Sequence, residues 1–231
     1  MDPVRFDTSD GISLEGELRL PEGPARGSAV LCHAHPAHGG SKDHPVLWAL
    51  RNDLAARGLV VLAFNFRGNM GSEGSHAGGD LETEDVRAAV SRVRGETDGP
   101  TFVAGWSFGA VMALREAVED DRVAALALLG FPLSESLGLI PPEPPSRAEL
   151  AGLRRPVLLL SGEADQFSPV PDLRAMARRL PLGEVSILPG TDHFFWHRER
   201  EAAGAVGDFA ERALFGNGAI QAEGGGEPSA G

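Results

Sequence analysis

The spacing of apolar side chains changes character along the chain. Over residues 4–8 and 12–20 apolar and polar positions alternate, and Ser9-Asp10-Gly11 separates the two stretches. A period of two interrupted by a turn triplet predicts an antiparallel hairpin. Beyond the Pro- and Gly-rich segment 21–27 the alternation disappears. Short apolar runs take its place at 28–34, 59–65, 100–106, 123–130, 156–162 and 184–190. Five of these six lack polar alternation over most of their length, as strands covered on both faces do.

Helical spacing fills the gaps between them. Asp43 is placed to cap a helix reaching Arg57, with Gly58 as its stop, and further helices are expected over 81–94, 110–119, 171–180 and 194–214. Strand–helix alternation at this spacing predicts an α/β fold: a mostly parallel sheet, helices on both faces, an antiparallel N-terminal hairpin and no large cap domain. Residues 1–215 read as a single domain. Segment 131–155 breaks the rhythm, holding five of the 17 prolines, and reads as a short insertion lying over an edge of the sheet. The Gly-rich polar stretch 216–231 reads as a flexible tail.

Composition narrows the function classes. The formal net charge of −12 repels polyphosphate backbones and anionic lipid, which argues against nucleic acid and membrane surfaces as partners. A single cysteine, Cys32, excludes an internal disulfide framework and fits a reducing compartment. The first residues carry no basic segment followed by an apolar one, and the longest apolar runs are strand-sized. A cytoplasmic location is the resulting expectation. No oligomeric state follows from the pattern.

The sharpest chemical signal is Gly105-Trp106-Ser107-Phe108-Gly109, set between an apolar run and a helical one. Gly-x-Ser-x-Gly in that context is a nucleophile elbow, a tight turn that presents the serine; a Gly-rich structural turn is the alternative. A serine hydroxyl is a weak nucleophile at neutral pH and needs a base and an acid to orient the base. In elbow enzymes these follow in the order acid, then histidine, each after a later strand. Asp165 follows the run at 156–162 and His193 the run at 184–190, with Glu163 and Asp192 as competing acids. His193 could instead be a buried ring among Phe194, Phe195 and Trp196.

Residues 32–40, Cys-His-Ala-His-Pro-Ala-His-Gly-Gly, raise a rival chemistry. His33, His35 and His38 nearly reproduce a binuclear metallohydrolase pattern, but Ala37 stands where that pattern needs an aspartate. As the loop leaving an early parallel strand, the segment is better read as the source of an oxyanion donor. No metal and no cofactor is expected. The donors should be two backbone amides, those of Phe108 and His35, with Ala37 in reserve; Pro36 has no N–H and biases His35 toward an extended conformation. Arg67, in 65–74, reads as a brace for the neighbouring loop, and Cys32 as a small core residue.

Together the motifs resemble the α/β-hydrolases, in particular a compact bacterial branch. The branch's H-x-H-P-x-x-G-G falls on His33–Gly40, F-N-F-R-G-x-x-x-S-x-G on Phe64–Gly74, G-x-S-F-G on Gly105–Gly109, G-x-x-D on Gly162–Asp165 and D-H-F-F on Asp192–Phe195. The resemblance spans roughly 28–200 and implies a triad of Ser107, Asp165 and His193. The expected activity is hydrolysis of small to medium carboxylic esters, or of thioesters or amides, through an acyl-enzyme. A metal-dependent hydrolase and a non-catalytic scaffold of the same fold are the alternatives. Met70, Trp106, Phe131, Leu133 and Phe194 are the candidate pocket residues, and apolar Leu137, Leu139 and Ile140 of the insertion are expected to extend the wall.

Overall fold

The computed structural model describes residues 2–135 and 140–216. Leu137, Leu139 and the tail from 217 onward fall outside the described residues. The N-terminal hairpin is β1 (Asp2–Asp7) and β2 (Ser13–Arg19), and the apolar runs become β3 (Gly27–Cys32), β4 (Leu59–Phe64), β5 (Thr101–Trp106), β6 (Val123–Leu129), β7 (Val157–Gly162) and β8 (Gly183–Leu188). They form one sheet in the order β1-β2-β4-β3-β5-β6-β7-β8. β1 and β2 pair antiparallel, β2 joins β4 antiparallel, and every pair from β4 across to β8 is parallel.

The apolar runs are continuous because the central strands have no solvent face. Along β5, Phe102, Ala104 and Trp106 enter one core, closed by α1 (Pro45–Ala56) and α6 (Glu199–Phe215). Val103 enters the other, closed by α2 (Glu82–Arg94), α3 (Phe108–Glu119) and α5 (Val170–Ala177). Alternate side chains thus serve opposite layers, as the pleat dictates. Burying each large aliphatic or aromatic side chain in these cores is worth about 1.5–3 kcal/mol.

Helix limits depart from expectation in informative places. The cap of α1 is His44 rather than Asp43: its Nδ1 accepts from the Val46 amide at 3.4 Å, while the Asp43 carboxylate takes the Lys42 ammonium at 3.0 Å. α3 begins two residues early, at Phe108, directly after the elbow serine. The last helix starts at Glu199, not 194, because Phe195 and His197 hold φ of 58° and 62°, outside the α-helical region. The Pro-rich insertion contains a six-residue helix, α4 (Arg147–Gly152), opened by a capping box between Ser146 and Glu149.

Strand order explains where a site can form. From β3 the chain moves outward to β4, then returns past β3 to build β5, β6, β7 and β8 on the other side. The loops after β3 and β5 therefore diverge in opposite directions at the carboxyl edge, which opens a crevice there.

The loop after β4 is braced by ion pairs beside this crevice. Arg67 is buried; its Nε and backbone amide both donate at 2.8 Å to the carboxylate of fully buried Asp85 on α2, and Nη1 donates to Asp10 at 2.8 Å. Its donors are thus committed within the protein, as the bracing reading expects. Hydrogen bonding from Arg67 holds the Asp10 carboxyl down at about 2. That contribution to stability is present above the ordinary aspartate range and is lost as pH falls through about 2. Arg67→Met leaves Asp85 buried without its cation and should destabilise the fold by about 3–5 kcal/mol, read as a lowered urea midpoint. A midpoint within error of wild type would refute the bracing role.

Candidate active site

Ser107 occupies the turn between β5 and α3 with φ 55° and ψ −117°, a conformation that non-glycine residues seldom adopt. Its amide is tied to the Leu129 carbonyl at 2.9 Å, which anchors the turn to β6. The flanking glycines permit the tightness. A Cβ on Gly105 would overlap the Gly109 carbonyl, and one on Gly109 would overlap the Cys32 and His33 carbonyls at the end of β3.

Ser107 Oγ lies 3.0 Å from His193 Nε2. His193 Nδ1 lies 2.9 Å and 3.0 Å from the two oxygens of Asp165. Since a carboxylate only accepts, the ring proton sits on Nδ1, leaving Nε2 bare toward the serine hydroxyl. Asp165 is itself held: the Ser161 hydroxyl donates to it at 3.0 Å, and the Phe167 and Ser168 amides donate at 2.9 Å and 3.1 Å. The competing acids face elsewhere. Glu163 accepts from the Gly190 amide at 3.1 Å and Asp192 from the Phe194 amide at 3.0 Å. His193 is also packed among aromatic rings, with Phe167 at 4.5 Å and Phe194 at 5.5 Å between centroids.

The other side of the crevice is the loop after β3. Phe108 is the first residue of α3, so its amide has no intrahelical acceptor and sits at the positive end of the helix. Among the described residues no protein acceptor takes the amide of Phe108 or of His35. The Ala37 amide, by contrast, is occupied by His35 Nδ1 at 3.2 Å. The three histidine rings of this loop have different surroundings. His33 is fully buried, its Nε2 accepting from the Phe66 amide at 3.0 Å, and burial pushes its pKa down to about 4. His35 turns to His76, whose Nε2 is 3.0 Å from its own, and His38 is exposed. Among the described residues no three His, Cys, Asp or Glu side chains converge as metal ligands. Cys32 is fully buried, and burial pushes its thiol pKa well above the ordinary range.

A cavity of about 40 Å³ opens at Ser107. Among the described residues it is lined by His35, Phe108, Pro132, Ser134, Ile140, Pro141, Pro142 and Phe167. None of the five candidate pocket residues belongs to this wall. In the segment leaving β6, Pro132 and Ser134 face the cavity, whereas Phe131 is fully buried and Leu133 packs against the core. Adjacent side chains point to opposite sides, and the apolar ones took the core. Trp106 lies in the opposite layer, where its indole N–H donates to the His193 carbonyl at 3.0 Å. Phe194 stacks on Trp196, and Met70 is 74% exposed.

Four supporting residues were not singled out from the sequence. Ser161, Phe167 and Ser168 hold Asp165. Gly130, with φ +50°, leaves room for His193, since a Cβ there would lie 3.0 Å from the imidazole ring. A glycine closing an apolar strand run was the visible sign of the last.

Comparison with known proteins agrees with this geometry. A family model described as an alpha/beta hydrolase domain matches residues 27–213. An uncharacterised protein of Rickettsia prowazekii is 25% identical over 217 residues, covering 90% of this chain and 88% of that one. A Xanthomonas campestris structure, described as a serine hydrolase without a lid, superposes with a TM-score of 0.77 at 27% identity, covering 92% of this chain and 94% of that one. A serine hydrolase homologue from Coxiella burnetii gives a TM-score of 0.78 at 26% identity, covering 90% of this chain and 96% of that one. The sheet order, the elbow and the extent of the family match lead to one conclusion: this chain belongs to the alpha/beta hydrolase family.

Proposed function

We propose that the protein is a serine hydrolase that cleaves carboxylic esters of short acyl chains through an acyl-enzyme. The observation that carries this reading is the unbroken hydrogen-bonded line from Asp165 through His193 to Ser107, which stands at an apolar cavity lined also by His35 and Phe108. His193 Nε2 takes the hydroxyl proton as Ser107 Oγ bonds to the acyl carbon. Asp165 holds the ring in the required tautomer and offsets the charge of the imidazolium. The carbonyl oxygen becomes an oxyanion, and the Phe108 and His35 amides are the groups to receive it, at about 2.7–3.1 Å. Collapse breaks the bond to the leaving alcohol, which takes the proton from His193. Water then repeats the sequence and frees the acid, restoring Ser107.

Cavity size supports a short acyl group. The cavity, at about 40 Å³, is small, and a short acyl group suits it better than a long one. Pro132, Pro141 and Pro142 stiffen the wall, so the insertion is the segment that would set substrate size.

A fluorophosphonate probe should label wild type on Ser107 and leave Ser107→Ala unlabelled, with ester turnover lost in the same variant. Turnover that survives Ser107→Ala and disappears with a strong chelator would replace this reading with metal chemistry at the loop histidines. Asp165→Asn should lower kcat by about 10⁴, since it disfavours the productive tautomer; near wild-type kcat would remove Asp165 from the mechanism.

Across a series of aryl esters, kcat/KM should peak between acetate and butyrate and fall at octanoate. Ile140→Ala should shift the optimum toward longer chains, and an unchanged profile would take the insertion out of the pocket wall. Gly130→Ala should displace the imidazole and lower kcat by about a hundredfold in a folded protein. A kcat within twofold of wild type would show that the ring does not depend on that space.

A further inference from the structure

A second set of carboxylate and imidazole side chains, Glu82, His76 and His35, reaches the same cavity. His35, which lines the cavity with Ser107, accepts the Ala37 amide on Nδ1 at 3.2 Å. An accepting Nδ1 carries no proton, so neutral His35 must carry it on Nε2. That nitrogen is 3.0 Å from His76 Nε2, and only one proton fits between them. His76 Nε2 is therefore the acceptor, and the proton of neutral His76 sits on Nδ1. This atom is 2.8 Å from Oε1 of Glu82, off the direction of an aligned N–H bond. Glu82 is fully buried at the start of α2, and its carboxylate accepts the Ala77 amide at 2.6 Å and the Gly79 amide at 2.8 Å. Both imidazoles pack edge-on to Phe108, with centroids 5.4 Å and 5.2 Å away.

We propose that His76 and Glu82 are positioning residues for the reaction: they lock His35 in its Nε2–H tautomer, and the locked ring holds the 35–37 turn that aims the His35 amide at the oxyanion. The proposal rests on the reading of that amide as an oxyanion donor. Its physical content is that a second proton cannot enter the pair harmlessly. Placed on His35 it puts an N–H against the Ala37 N–H. Placed on His76 Nε2 it drives the His35 proton round to Nδ1, with the same clash. Either way the turn loses the bond that shapes it.

The groups facing the pair are His38, at 5.2 Å from the His35 ring, His33 behind it in the loop, and Glu82 on α2. Asp85, next along α2, is taken by Arg67. Phe108 packs against both rings, and Ser107 lines the cavity with His35. Burial, with His76 and His38 beside it, pushes His35 down to about 4, so the His35 ring is neutral at neutral pH.

The test compares His76→Leu with His76→Gln, whose side-chain amide oxygen can accept the His35 Nε2–H as the imidazole does. His76→Leu should lower kcat about tenfold or more with KM within about twofold, because the loss falls on the transition state rather than on binding. His76→Gln should recover most of that loss. A wild-type kcat in folded His76→Leu would overturn the proposal, as would a glutamine variant no better than the leucine one, which is the signature of packing alone. Nitrogen-15 spectra of the wild-type imidazoles at neutral pH decide the matter even if His76→Leu does not fold. Protons on His35 Nε2 and His76 Nδ1 support the lock, and a proton on His35 Nδ1 refutes it. Ser107→Ala, assayed alongside, separates the two readings: its retained activity would remove the serine mechanism and the lock together. An inactive Ser107→Ala beside a fully active His76→Leu would remove the lock alone.

Discussion

The site depends on one close approach, that of α3 to the end of β3. Gly109, in the first turn of α3, lies so near the Cys32 and His33 carbonyls that any Cβ would overlap them, and Gly105 meets Gly109 in the same way. These absences of side chain let the helix start directly beneath the loop that leaves β3. Phe108 at the helix start and His35 on the loop are thereby brought to one crevice. Because β3 and β5 are neighbours at the point where strand order reverses, the crevice is empty of connecting chain. Ser107 pays for its place with a backbone conformation held by the elbow and by the Leu129 carbonyl.

Around that crevice, charge is buried only where it is answered. Asp165 receives a hydroxyl, two amides and an imidazole, Glu82 receives two amides, and Asp85 receives Arg67 through both its guanidinium and its amide. Hydrogen bonds of this kind offset part of the cost of burying a carboxylate. Each then constrains the group it touches: Asp165 sets the tautomer of His193, Asp85 holds the loop after β4, and Glu82 lies against His76. The imidazoles form an asymmetric set. His193 presents a bare nitrogen to the serine, whereas His33 and His35 have theirs committed to the backbone.

Much of the fold was legible because strand and helix periods are local. The hairpin, the six apolar runs and the switch to parallel pairing agree with the expected α/β architecture, with ends displaced by a few residues. Departures arise where side chains interact with the fold rather than with their own helix. The stretch after His193 has helix-like apolar spacing, yet positive φ at Phe195 and His197 and the Trp106 bond to the His193 carbonyl keep it as a loop until Glu199. His44 displaced Asp43 as a cap because Lys42 drew the carboxylate away.

The sequence by itself determined which residues to propose as nucleophile, base and acid, since a position just past a strand's carboxyl end is a local property and strand ends align in a parallel sheet. It also determined that Pro36 could not be an oxyanion donor, because the missing N–H is covalent. The tertiary structure alone decided which side chains wall the cavity. Between Phe131 and Leu133, which pack inward, and Pro132 and Ser134, which line it, the choice turned on the direction of an irregular segment, for which the sequence carries no period. It alone brought His76 and Glu82 to His35, across separations of 41 and 47 positions in the chain. Contacts between loops are fixed by the packing of the strands and helices that carry them, and no spacing along the chain encodes that distance.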